Sequence, residues 1–295
     1  MKTRLLILLV SVVSCKSTDS INRFAKSSSS GLAELDRSTP SFSGLYKKND
    51  PSRLKKILDT GIYGNAMNPE KGSAAAASIP VCMPCKTADS LTSVINQTLT
   101  AYFTMLQELS DKKLIAYHAE DLVSSLALIQ AGVAPSMNLT DTKISAIKSL
   151  LNAVLNEPLK AYRYQKLQET ISRNDSALGV VIGTYRFILD TALRGEIELA
   201  RANYVSFVYA PLYGWAKTPV EKQLVNREFG EYQTGLSADL EKIHQCIQLL
   251  NTIRKGHHSL ATGGAKNTWN ATEAEIAADI IRINTLVTEL VRLVQ

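Results

Sequence analysis

The sequence predicts an all-α protein, an up-and-down bundle of five or six long helices behind a flexible N-terminal tether. Three observations predict it. Beyond Cys85 the apolar residues recur at three- and four-residue spacing with almost no two-residue alternation, the period of helices and not of strands. Helix-start chemistry recurs between those stripes, most clearly at Thr218-Pro219-Val220-Glu221, which combines a capping box with proline at the first helical position. The stripes are also long and narrow, and such helices bury themselves by packing side by side.

Taken in order, Thr87 to Ala131 carries a stripe through Leu91, Ile95, Leu99, Tyr102, Leu106 and Leu109, then Ile115, Ala119, Leu122, Leu126 and Ile129. Lys112 and Lys113 interrupt it, so it reads as one kinked helix or as two. Thr140 or Asp141 opens the next helix, with Ile144, Ile147, Leu151, Val154, Leu155, Leu159 and Tyr162 facing inward and Pro158 bending or breaking it. Asn174-Asp175-Ser176 reads as the cap of a further helix running to about Ala210, before Pro211. Within it Ala177 to Leu193 is the most apolar stretch after Cys15, interrupted by Arg186 and Asp190, which stand four apart and can pair along one face. That stretch reads as a buried central helix, with Gly179 and Gly183 permitting close approach by a neighbour. The interruption leaves it short of the roughly 20 apolar residues of a transmembrane helix.

The clearest helix runs from Thr218 to about Gly256. Its seam of Val225, Phe229, Tyr232, Leu236, Leu240, Ile243, Ile247, Leu250 and Ile253 specifies a rod of about 55 Å at 1.5 Å per residue. His257 and His258 then read as part of a polar inter-helix loop. Thr272 and Glu275 can form a second capping box, followed by a stripe of Ile276, Ile280, Ile283, Val287, Leu290 and Val294. These two helices should form an antiparallel pair. No internal repeat at solenoid spacing is present.

The N-terminal quarter reads differently. Met1-Lys2-Thr3-Arg4 is a positive start, Leu5 to Val13 an apolar run too short to span a bilayer, and Val12-Val13-Ser14-Cys15 a cleavage region. This pattern resembles the lipobox of bacterial lipoproteins. The resemblance covers residues 1–15 only, with Val12 where leucine is usual, and ordinary secretory cleavage is the alternative. It implies that residues 1–14 are a signal peptide and that Cys15 is acylated, which would place the protein in a bacterial cell envelope, anchored to a membrane on the extracytoplasmic side. Residues 15–85 are rich in Ser, Gly, Asn, Lys and Pro and read as a flexible tether, because such composition buries too little apolar surface to offset ordering entropy. One short helix is expected inside it, capped by Asp50, with Pro51 at its start and Leu54, Ile57 and Leu58 on one face. Residues 86–295 form the bundle domain.

Charge follows the same division. Residues 15–71 carry ten Lys/Arg against six Asp/Glu, whereas residues 72–295 carry twenty-one of each. The basic character therefore belongs to the expected tether, where it suits anionic headgroups, and nothing separate points to nucleic acid.

Few residues carry recognisable chemistry. Cys82-Met83-Pro84-Cys85 precedes a helix start and resembles the C-x-P-C of thioredoxin-like oxidoreductases over those four residues, but the alternating α/β pattern of that family is absent. A passive disulfide between Cys82 and Cys85 is the preferred reading. Cys246 reads as a buried free thiol. Glu241 and His244 share a helix face, as in di-iron bundles, but that pair occurs once, so no metal or other cofactor is expected and the two are weak metal candidates only. Tyr204, Phe207, Tyr209, Tyr213 and Trp215 concentrate aromatics at a helix end and the loop after it. They are either a plug closing one end of the bundle or a recognition surface, and they are the best local candidate for binding a partner. No nucleophile elbow, Walker loop, H-E-x-x-H or dinucleotide fingerprint is present.

These readings converge on a lipid-anchored envelope protein acting by protein contact, as a structural, adaptor or inhibitory component with a protein partner. The alternatives are a metal- or redox-active bundle and a membrane-active, pore-forming-like bundle. Enzymatic activity is not indicated.

Overall fold

A computed structural model describes residues 2–48, 83–111, 139–156, 163–263 and 269–294, and among them there are helices and no strands. In chain order these are α1 (Lys2–Ser38), α2 (Phe42–Lys48), α3 (Met83–Ser110) and α4 (Asp141–Asn156). Next come α5 (Arg163–Phe187), a π-helical turn (Ile188–Leu193), α6 (Arg194–Tyr204), a second π-helical turn (Val205–Tyr209) and α7 (Ala210–Trp215), which continue one into another without a break. α8 (Pro219–Gly263) and α9 (Trp269–Val294) complete the bundle.

α8 is the axis on which the others assemble. Its start is the predicted capping box: the Glu221 N–H donates to Thr218 Oγ1 at 3.2 Å, and Glu221 Oε2 accepts from the N–H groups of Thr218 and Lys217 at 2.8 and 2.7 Å. The seam residues Val225, Leu236, Ile243, Leu250 and Ile253 are buried as the periodicity predicts, and Cys246, Leu249, His257 and Leu260 extend the buried face. α9 runs antiparallel to it. Ser259 donates to Glu275, Lys255 pairs with Asp279 and Arg282 donates to Gln248, so residue numbers rise on one helix as they fall on the other. α5 to α7 also run antiparallel to α8, from Ser172 against Ala261 at one end to Tyr213 against Lys222 at the other. That pairing covers a rise of roughly 60 Å.

The N-terminal segment corrects the sequence reading. Residues 18–38 and 42–48, expected as part of the flexible tether, lie in α1 and α2 and supply the core with Ile21, Phe24, Ala25, Leu32, Leu35, Phe42 and Leu45. The helix is hard to read in sequence because small residues interrupt its apolar stripe: Ala25, Ser28 and Gly31 stand at buried positions between the large ones. Small size is what the place requires. A β-carbon on Gly31 would stand 3.2 Å from Leu249 and 3.4 Å from Ile283, so α1 lies close against both α8 and α9. Each fully buried Ile, Leu or Phe contributes roughly 1.5–3 kcal/mol, which outweighs the ordering cost that the serine-rich composition suggests. α2 is held by Asp89 of α3, whose carboxylate accepts from the N–H groups of Phe42 and Ser43 at 2.7 and 3.1 Å, and by a Lys48–Asp239 ion pair of 2.9 Å. The predicted helix at 51–61 and the end of the tether lie outside the described residues.

Other boundaries also shift. α5 passes through Asn174-Asp175-Ser176 without interruption, and these residues do not cap it, because Asp175 is engaged across the bundle with α8. Pro211 does not end the helix: the backbone stays helical through Tyr209 and Ala210, and the proline stands directly after the second π-helical turn, where the hydrogen-bond spacing changes. Asp190 pairs with Arg194 and not with Arg186. α8 continues past Gly256 to Gly263, so His257 and His258 are helical and not in a loop. α9 begins at Trp269, which puts Thr272 inside its first turn and frees Glu275 to meet Ser259. Gly179 does admit a neighbour, since a β-carbon there would meet Arg254 at 2.8 Å, whereas Gly183 has nothing within 4 Å. α3 ends at Ser110. The second half of its predicted stripe, from Ile115 to Ile129, and Pro158 lie outside the described residues.

Candidate functional site

The aromatic cluster of the sequence occupies a two-helix hairpin. Ile197, Ala200 and Leu236 are its last members of the main core. Beyond them, among the described residues, α6, α7 and the first turns of α8 continue for roughly 25–30 Å as a pair of helices. Aromatic stacking holds this arm together. Tyr204 stacks on Tyr232 with centroids 3.8 Å apart, and Tyr209 stacks on Phe229 at 4.2 Å. Tyr232 donates to the Ala200 carbonyl at 3.3 Å and Tyr209 to Asn226 Oδ1 at 3.1 Å. Burial, followed by the neighbouring Tyr204, pushes the Tyr232 phenol up to about 12. Val208, Ala216 and Val225 fill the space between the helices.

The five aromatics therefore divide. Tyr204 and Tyr209 face the opposite helix and hold the arm together. Phe207 is 68 % exposed, Trp215 54 % and Tyr213 38 %. Phe207 sits in the middle of the second π-helical turn, which accommodates one more residue per turn than an α-helix and so turns its face away from the stack. Leu199, 54 % exposed, lies about two turns further from the apex. The cluster is thus not a loop: among the described residues it continues the helix past Ile197 and Ala200, the last core residues on that side of the hairpin.

A second constellation, absent from the sequence reading, lies inside the bundle where α3, α5 and α8 meet. His257 is fully buried, with Nδ1 2.9 Å from Asp175 Oδ1 and Nε2 2.8 Å from the Tyr102 hydroxyl. Asp175 also accepts from Arg254 at 2.6 Å and meets His258 Nδ1 at 2.8 Å. A neutral His257 satisfies every atom, its Nδ1–H donating to the carboxylate and Nε2 accepting from the phenol. Burial works to raise the Asp175 carboxyl, but the bonds from His257, Arg254 and His258 outweigh it and hold the group well below the usual carboxylate range. Burial pushes His257 down, against the pull of Asp175. The arrangement locks three helices in register. The signal for it was the seam itself, since Leu250, Ile253, His257 and Leu260 continue one helical face past the glycine that reads as a stop.

The remaining candidates are dispersed. Glu241 and His244 are both exposed and turn to different glutamines, Glu241 to Gln245 and His244 to Gln248. Among the described residues no cluster of three or more His, Cys, Asp or Glu has the geometry to hold a metal ion. Cys85 is disulfide-bonded, while Cys82 lies outside the described residues. Cys246 is free and buried, 3.7 Å from Thr39 Oγ1. Cys15 falls within α1, and its side chain lies outside the described residues. The continuous helix from Lys166 to Trp215 is long and apolar enough to cross a membrane by length and composition alone, but its apolar positions Leu178, Val181, Ile182, Tyr185, Ile188 and Leu189 are core residues of the bundle.

Compared with known proteins, the chain matches no family model, no curated protein and no solved structure.

Proposed function

We propose that this protein is a lipid-anchored component of a bacterial cell envelope that acts by contact with another protein, and that the flank of the projecting hairpin carries the contact. The observation that supports this reading is the exposure of Phe207 on the arm and of Leu199 at its base, while among the described residues the facing side chains of the arm pack on one another. Large apolar side chains left mostly exposed on a helical element are the usual make-up of a recognition surface. The arm is preorganised by its aromatic stack and capping box, so a partner would meet it without an ordering cost.

The anchor comes from the resemblance of residues 1–15 to a lipobox, and the bundle fits it in one respect. Ser20 and Ile21 are already packed, Ser20 against Glu273 of α9, so a lipid on Cys15 would hold the domain close to the membrane with no long spacer. The hairpin lies at the other end of α8, which would direct it away from that membrane.

The test is a pull-down from envelope extract with the full chain beside a Leu199→Ser, Phe207→Ser variant whose helicity and melting temperature match wild type. A partner retained by wild type and lost by the variant supports the reading. A folded wild type that retains nothing, or a partner held equally by both, contradicts it.

A further inference from the structure

The apex of the hairpin differs in chemistry from its flank. Residues 202–216 contain no Asp, Glu, Lys, Arg or His, and the run ends in Tyr213-Gly214-Trp215. Across the turn, Val220 is 66 % exposed beside the 54 % of Trp215. Two exposed cations flank these apolar groups: Lys217, and Lys222 with its ammonium 5.4 Å above the Tyr213 ring. The acid of the turn itself, Glu221, is committed to the backbone N–H groups of Lys217 and Thr218. The helix ends on both sides of the turn are closed, with the Ala216 N–H donating to the Leu212 carbonyl and the Lys222 N–H to the Thr218 carbonyl.

We propose that this apex docks into an anionic lipid bilayer, with Trp215 and Val220 entering the headgroup boundary and Lys217 and Lys222 meeting lipid phosphates. Tryptophan and tyrosine at the end of an apolar helix, with lysines beside them, match the interface in both polarity and charge. Size argues in the same direction. Two helices of about 10 Å diameter end in a convex face of roughly 200 Å², far below the roughly 800 Å² per partner of a stable protein interface. A bilayer needs no matching concavity. The proposal goes beyond the protein contact argued for Phe207 and Leu199 and does not depend on it; because Ser20 packs at the opposite end of α8, the bilayer met by the apex is not the one that would hold Cys15 but one facing it.

The chain has two tryptophans, so in a Trp269→Phe variant of the full chain the fluorescence reports on Trp215 alone. It would be mixed with vesicles of equal phosphatidylcholine and phosphatidylglycerol carrying bromine near the headgroup end of the acyl chains, and with pure phosphatidylcholine vesicles. Binding is measured separately by flotation. The expected result is a blue shift and at least a twofold loss of Trp215 intensity in the anionic vesicles, abolished by Lys217→Glu with Lys222→Glu in a chain of unchanged helicity. Three results would overturn the proposal. These are no flotation at all, vesicle-bound chain whose Trp215 is neither shifted nor quenched, and a shift that grows with protein concentration in the absence of lipid, which would give the apex to a second copy of this chain.

Discussion

Tyr102 and His257 meet inside the bundle with the phenol oxygen 2.8 Å from Nε2, on helices that are 155 residues apart in sequence at that point. The bond closes a chain that begins at Asp175, so that α5, α8 and α3 are held at one level by three side chains. This cluster sets the register of the axis helix, and through it the reach of the hairpin.

Removing either end of the chain should cost different amounts. Tyr102→Phe leaves one buried imidazole nitrogen without a partner and should cost about 1–2 kcal/mol. Asp175→Ala leaves Arg254, His257 and His258 without their shared acceptor and should cost about 3 kcal/mol. Urea denaturation of both variants measures this, and an equal small loss for the two would argue against a register role for the cluster.

The same groups make stability depend on pH in a definite direction. Burial holds His257 below its ordinary value, so below about pH 6.5 the unfolded chain takes up a proton that the folded chain refuses, and stability falls with acidification. Asp175, held well below the usual carboxylate range, adds a second loss that begins near pH 4 and deepens as the pH falls further. Melting temperatures from pH 7.5 to 5 should decline for wild type and decline less for His257→Gln. A flat wild-type profile would show that His257 accepts its proton freely.

Glycines of α8 and α5 should respond in opposite directions to the same substitution. A β-carbon on Gly256 would stand 2.3 Å from the Phe24 ring, so Gly256→Ala forces α1 away from α8 and should cost roughly 1–3 kcal/mol. Gly183 meets nothing within 4 Å in mid-helix, and Gly183→Ala should stabilise by roughly 0.5–1 kcal/mol. Thermal melts of the two variants should move apart, and the first result also tests whether α1 belongs to the core.

Cys246 is fully buried, and burial pushes its thiol up to about 12. It should resist alkylation at pH 8 in the folded protein and react once urea passes the unfolding midpoint, as read by mass of its tryptic peptide. Rapid modification in the native state would mean that the α1–α8 contact opens readily.

The long seams of α8 and α9 were legible because each carries one large apolar residue per turn, and the start at Thr218 because the capping box is local chemistry. α1 was not, because its close approach to α8 and α9 requires Ala25, Ser28 and Gly31, the same residue types that mark a linker. Gly256 misled for the same reason: it reads as a helix stop but serves to admit Phe24. That concealed His257 and its partners, which come from three distant stretches of chain and share no local pattern. The aromatic cluster was legible as a cluster. Its division into stacked and exposed members was not, because that depends on which residues of α8 lie opposite and on the π-helical turn at Val205–Tyr209.

The contact reading is tested most directly by a photo-crosslinking residue placed at position 207 in the full chain, with position 237, exposed on α8 where the hairpin joins the bundle, as the control. Irradiation of membranes from cells making each form should give one discrete protein adduct from 207 and none from 237. Adducts of equal yield from both positions, or none from either, would contradict a contact surface on the hairpin flank.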